Sequence, residues 1–166
     1  MRDYGELKWY SKERKEYYAN VNNSREKMIG DEGEKLIWEF FERKGLEVIY
    51  SLPNEDANNH VDFWVKVGDE WLSVDVKHQA NMTLEIKNNW GNTGSTMLPD
   101  EKGADVVVHL LRGTGVAYVY QRSLMRDWWE KHKGLHQFTT NYQGATLFRV
   151  YPDTLREMSF VHKLTL

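Results

Sequence analysis

Asp62, Asp75 and Lys77 are the residues of this chain best spaced to do chemistry together. They lie in the stretch VDFWVKVGDEWLSVDVK, Val61 to Lys77, where apolar and polar residues alternate on both sides of a Gly68-Asp69 turn signal, the pattern of a β-hairpin. One face is apolar from Val61 through Phe63, Leu72 and Val74 to Val76, and the other carries Asp62, Trp64, Lys66, Ser73, Asp75 and Lys77. A two-residue turn sets Val67 opposite Glu70 and therefore Asp62 opposite Asp75. A slip by one position would turn an apolar set into water, so the pattern resists it. Two carboxylates facing each other across a ladder repel, and a divalent cation between them relieves that. Magnesium, or manganese in its place, takes hard oxygen ligands and completes its shell with water and phosphate oxygens. Asp62, Asp75 and the carbonyl of Val76 are placed to supply such oxygens. Lys77 can then position a water or steady negative charge developing on phosphorus, and the cation would acidify its bound water. That chemistry is phosphodiester hydrolysis.

The flanking sequence supplies elements to hold these groups. A helix is expected from Ser24, a plausible cap, to Gly45, which follows Arg43 and Lys44 as a C-terminal signal. Glu34 sits at the edge of its apolar stripe, where it can lean over the sheet and complete the metal shell. Leu46 to Leu52 is expected as a first strand closed by Pro53, and NEDANNH as a polar loop into the hairpin. His78 points away from Lys77 in an ideal strand and is expected to be structural, whereas Gln79 returns to the catalytic face as a substrate contact. The polar, Gly-rich stretch from Gln79 to Gly103 is expected as a long loop, with Asn89, Trp90 and Asn92 suited to phosphates or an unstacked base. Ala104–Leu111 and Gly115–Gln121 follow as strands. Arg122–Lys133 follows as a helix with Leu124, Trp128 and Trp129 toward the core, then one or two further strands and a helical turn. The expected class is α/β, with a mixed central sheet flanked by helices.

Size and composition are consistent with one domain over residues 25–166, preceded by an arm or helix over residues 1–24. The chain has 166 residues, a formal charge of −3, and no cysteine, which excludes disulfides, thiolate nucleophiles and Cys-type zinc sites. The net charge argues against coating nucleic acid by bulk electrostatics while leaving room for local basic patches. One such patch is Lys8, Lys12, Arg14 and Lys15, interleaved with Trp9, Tyr10, Tyr17 and Tyr18, which suits contact with a phosphate backbone or a second subunit. No stretch approaches a membrane span and no signal peptide is evident, so the cytoplasm is the expected setting.

A Glu on the first helix, then an Asp, then Asp-X-Lys on the following strand resembles the PD-(D/E)XK nuclease superfamily, which includes restriction endonucleases, Holliday junction resolvases and phage nucleases. The matching residues are Glu34 in GEKLIWEFFERKG, Asp62 in HVDFWV, and Asp75 and Lys77 in VDVKHQ. The resemblance covers about residues 25–121. It implies a restriction-endonuclease-like core and a metal-dependent nuclease, with Asp62 and Asp75 as ligands, Lys77 as the catalytic lysine and Glu34 as a further acid of the metal site. Val61 stands where the nominal motif has proline, and Asp75 where Glu is commoner. A second triplet, Glu85-Ile86-Lys87, lies ten residues on and is set aside because no acid precedes it in a facing strand.

The expected activity is a magnesium-dependent DNA endonuclease, structure-directed toward branched DNA or Holliday junctions and acting as a homodimer. The alternatives are a sequence-specific restriction-type endonuclease, a non-catalytic nucleic-acid-binding protein on the same fold, and a protein-interaction module with an incidental acidic site.

Overall fold

The computed structural model describes residues 25–52, 60–88, 90–133, 139–142 and 145–166. The proposed N-terminal arm, Ser24, most of the loop before the hairpin, and Asn89 lie outside the described residues. Helix α1 (Arg25–Arg43) ends where Gly45 signals it. Gly45 takes φ +78° and the Leu46 amide donates to the Phe41 carbonyl at 3.1 Å, the six-to-one bond of a Schellman ending.

The strands are β1 (Val48–Tyr50), β2 (Phe63–Val67), β3 (Glu70–Gln79), β4 (Thr83–Lys87), β5 (Val106–Leu111), β6 (Val116–Gln121), β7 (Thr139–Tyr142), β8 (Ala145–Arg149) and β9 (His162–Thr165). Two helices complete the described elements, α2 (Arg122–His132) and α3 (Pro152–Arg156). Six strands form the main sheet in the order β1-β2-β3-β5-β6-β9. Only β3 and β5 pair in parallel, so the sheet is mixed, as the sequence pattern implies. The hairpin register is the one expected from Val67 opposite Glu70 to Phe63 opposite Val74. The ladder stops there and the expected pairing of Asp62 opposite Asp75 does not form, because the Asp62 amide bonds the Val74 carbonyl instead.

Both faces of the main sheet are covered, which buries the β3 residues of either parity. On one face α1 contributes Ile37 to a core with Phe63, Val74, Val108 and Leu110. On the other, Val107 and Tyr120 pack with Met125 and Trp129 of α2 and with Leu84 and Phe148. Those last two belong to a second, three-stranded sheet ordered β4-β8-β7.

The structure corrects three sequence-based expectations. Residues 79–103 are not one long loop: β4 runs through them and pairs with β8, followed by short 3-10 turns at Ser95–Met97 and Asp100–Lys102. Arg122, only 2% exposed, pins the connection by donating to the carbonyls of Ala104 at 2.7 Å and Pro99 at 3.0 Å, and also to that of Leu98. The α2 core residue is Met125, while Leu124 stays 40% exposed, because Met125, Trp128 and Trp129 follow the i, i+3, i+4 stripe. Finally β9, with little local strand signal, is held by pairing with β6.

Helix α1 is clamped to β3 through His78, whose structural role is visible. Nδ1 of His78 lies 2.6 Å from the Ile29 carbonyl oxygen. A Cβ on Gly33 would lie 2.5 Å from Cβ of His78, while one on Gly30 would meet nothing within 4 Å. Gly33→Ala should therefore lower stability by about 1–3 kcal/mol, because the helix must lift from the sheet. Gly30→Ala should be neutral or stabilising by up to about 1 kcal/mol. Denaturant melts of the two variants check this contrast.

Candidate active site

The site arises where β2 leaves β3. Up to Phe63 and Val74 the two strands are in register; then the Asp62 amide bonds the Val74 carbonyl at 2.8 Å, one residue off the ladder. The Asp62 side chain takes the place of a continuing strand, its Oδ2 accepting the Val76 amide at 2.7 Å. In an extended strand the N–H and C=O of one residue point to the same side. The Val76 carbonyl therefore also faces the Asp62 side of β3. Ser51, whose hydroxyl donates to the Val61 carbonyl and to the Asp62 carbonyl at 3.1 Å, secures the departing chain.

Asp75 and Lys77 project from the face of β3 that α2 and the second sheet cover. Asp75 is 4% exposed and Asp62 7%; they are interior acids, not members of a wet surface. Lys77 Nζ lies 3.0 Å from Asp75 Oδ2. Burial pulls the Lys77 pKa down, but Asp75, by charge and hydrogen bond, followed by Asp62 and Glu85, raises it overall above the ordinary lysine value. The amine is thus held as an ammonium. Across the parallel pairing from Lys77 stands His109, whose Nε2 lies 2.9 Å from the Tyr120 hydroxyl. Burial, then the Asp75 charge, keeps the Tyr120 phenol well above its usual pKa.

The structure thus brings Asp62, Asp75, Val76 and Lys77 together and places the other candidates elsewhere. Glu34 is half-buried on α1, which lies on the opposite face of β3. It is one turn from Trp38, which stacks on Tyr50 at 4.2 Å and meets Phe63 edge-on. Glu34 therefore lies on the side of α1 toward β1 and β2, the edge from which Asp62 approaches. Among the described residues no three His, Asp or Glu side chains gather closely enough to hold one ion. Gln79 accepts the Thr83 hydroxyl at 2.9 Å. Trp90 and Asn92 lie in a turn beyond β4, their amides bonded to Asn88 Oδ1.

Glu85 is the residue that sequence reasoning set aside and the structure brings back. It lies on β4, its charge acts on Lys77, and its Oε1 accepts the Ser95 amide at 3.0 Å. The facing acid that its triplet lacked in sequence is supplied in space by β3. The only sequence cue was the alternation in Thr83–Lys87, and the pairing strand β8 is some sixty residues away.

The bacterial homing endonuclease I-Ssp6803I has a similar structure. The TM-score is 0.53 at 14% sequence identity, over 77% of this chain and 79% of that one. At that identity the likeness is one of fold, so this chain has a nuclease-like fold. No protein-family profile matches the sequence, and no curated protein does either. Among the described residues no helix is long and apolar enough to cross a membrane.

His109 provides a pH test of this buried arrangement. Burial, then the Lys77 charge, lowers its pKa from 6.5 to about 3. Below pH 6.5 the unfolded chain binds a proton that the folded one refuses. The stabilisation is complete above that pH and is lost as pH falls toward the folded value, by at most about 1.4 kcal/mol per pH unit. His109→Gln should flatten the slope of stability between pH 6 and 4 in urea titrations. A slope equal to that of the wild type would assign acid sensitivity to other groups.

Proposed function

We propose that this chain is a divalent-metal-dependent DNA endonuclease with a restriction-endonuclease-like core of the PD-(D/E)XK type. The observation that carries the proposal is the convergence of Asp62, Asp75 and Lys77 where β2 leaves β3, on a nuclease-like fold. The donor chemistry fits magnesium: two buried carboxylates and a main-chain carbonyl on one side of β3 offer the hard oxygens it takes, with room in its shell for water and phosphate. Charge supports the same reading. Lys77 is one ammonium among three carboxylates, Asp62, Asp75 and Glu85, an excess that would repel a phosphodiester unless a dication joined them.

Asp62, Asp75 and the Val76 carbonyl would hold the cation, with Glu34 reaching round the edge of β3 directly or through water. A bound dication supplies an acidified water and neutralises charge at the phosphate. Lys77, held protonated by its neighbours, acts as a donor: it orients the attacking water and stabilises the negative charge that develops on the phosphate oxygens. Gln79, Asn89, Trp90 and Asn92 are the proposed substrate contacts. Branched DNA is the proposed substrate, with sequence-specific duplex cleavage as the alternative, and two copies acting as a homodimer would cut both strands.

With magnesium or manganese the purified chain should cut DNA, and a panel of duplex, single-stranded, branched and RNA substrates identifies the preferred one. Asp75→Asn and Lys77→Ala should each lower the rate by about a hundredfold or more while remaining folded by circular dichroism. Undiminished cutting by both folded variants would exclude this site.

A further inference from the structure

Beyond Lys87 the chain of β4 turns back as a narrow hairpin over residues 86–94. The Asn88 amide donates to the Asn92 carbonyl at 2.9 Å and the Gly94 amide to the Ile86 carbonyl at 3.0 Å, and Lys87 bridges to Thr93. Among the described residues the tip is held by polar groups. Oδ1 of Asn88 accepts the amides of Trp90 and Asn92, each at 3.0 Å, and Gly91 takes the left-handed φ of +78° that closes the turn. Trp90, whose indole stands outside this framework, is 87% exposed.

The base of the hairpin is tied to the catalytic wall. Gly94 packs so closely on the Glu85 backbone that no Cβ fits there. The Ser95 amide donates to the Glu85 carboxylate, and the Glu85 amide lies 3.2 Å from Oγ1 of Thr96. The same Glu85 faces Lys77 electrostatically. A preorganised tip carrying a large planar side chain in water thus stands a few residues from the groups proposed to do the chemistry.

We propose that this hairpin is a stacking arm that sets Trp90 against an unstacked base of the DNA, so that the enzyme selects DNA containing unpaired or easily opened bases. The inference rests on the nuclease reading and specifies its substrate class. At about 3.3 Å per extended residue, Trp90 lies at most roughly 16 Å from Glu85, within about five nucleotide steps along a strand. The surroundings of the indole favour a base over a protein surface. Lys87, Gly91, Asn92 and Thr93 beside it are exposed and polar or small, and the other exposed large hydrophobic residues, such as Met28, Leu36 and Tyr151, lie on other elements. A protein hot spot would be ringed by further buried contacts, whereas one aromatic face flanked by a cation and amides suffices for a nucleotide.

The test compares the full-length wild type with Trp90→Ala and Trp90→Phe. Affinity is measured in calcium for a labelled duplex, fully paired or carrying a three-nucleotide bulge, with 2-aminopurine in the bulge reporting stacking. Magnesium-dependent cutting of the same DNA is assayed separately. Trp90→Ala should lose about tenfold in affinity for bulged DNA, little for paired DNA, and the aminopurine signal change; Trp90→Phe should recover most of both. If the wild type cuts DNA and Trp90→Ala binds the bulge as tightly as it does, the stacking arm is overturned and the nuclease reading stands. If the Trp90-dependent preference is seen without any cutting, the arm stands and the nuclease reading falls. A wild type that binds neither DNA overturns both.

Discussion

The site depends on one interruption of a β-ladder. An antiparallel pair that continued past Phe63 and Val74 would spend the amide and carbonyl of Val76 on β2 and bury both in sheet bonds. Instead Asp62 leaves the register, and its carboxylate satisfies the Val76 amide at 2.7 Å. An unpaired buried amide costs about 1–3 kcal/mol, so Asp62 does structural work in the same position where it is proposed to hold the metal. A β-bulge or ladder break that re-aims a side chain is a common device beside active sites.

Electrostatics explain why such a cluster is unlikely to be retained for stability. Buried ion pairs rarely stabilise a fold relative to apolar side chains of similar volume, since each charge gives up several kcal/mol of hydration. Here Asp75 and Lys77 share one short contact, and Asp62 and Glu85 add negative charge around it. The surrounding interior is conventional: Val107, Leu84, Met125 and Phe148 pack tightly over the same face. An acidic, lysine-bearing patch inside an otherwise apolar layer therefore costs the fold stability, which is what makes it the candidate site.

Features that a single strand or helix dictates for itself were legible in the sequence. The alternation around Gly68-Asp69 specified the register because both faces of that hairpin are patterned, and Gly45 marked the end of α1 through its backbone conformation. The same local logic placed His78 opposite Lys77. What sequence could not show depended on partners far along the chain. Thr83–Lys87 is a strand because β8 pairs with it, and His162–Thr165 because β6 does. Glu85 was passed over for that reason: its significance comes from β3 across a packed interface. Leu124 was misplaced because Leu124 and Met125 both fit an apolar stripe with Trp128, and only the position of the second sheet selects Met125.

The protonation of Lys77 constrains how the site can work. Its neighbours hold the amine as an ammonium, which suits the proposed role of donor rather than base. A dication at Asp62 and Asp75 would neutralise much of the field that raises the Lys77 pKa and compete for the Asp75 oxygen it now contacts. The ammonium would then be released toward the phosphate, the next nearest concentration of negative charge. On the proposed reading Glu85 would remain as the counter-charge that keeps it protonated. The acid contributed by the second sheet would thus have a use that the triplet alone did not suggest: it would preserve the charge state of the lysine while Asp62 and Asp75 held the metal.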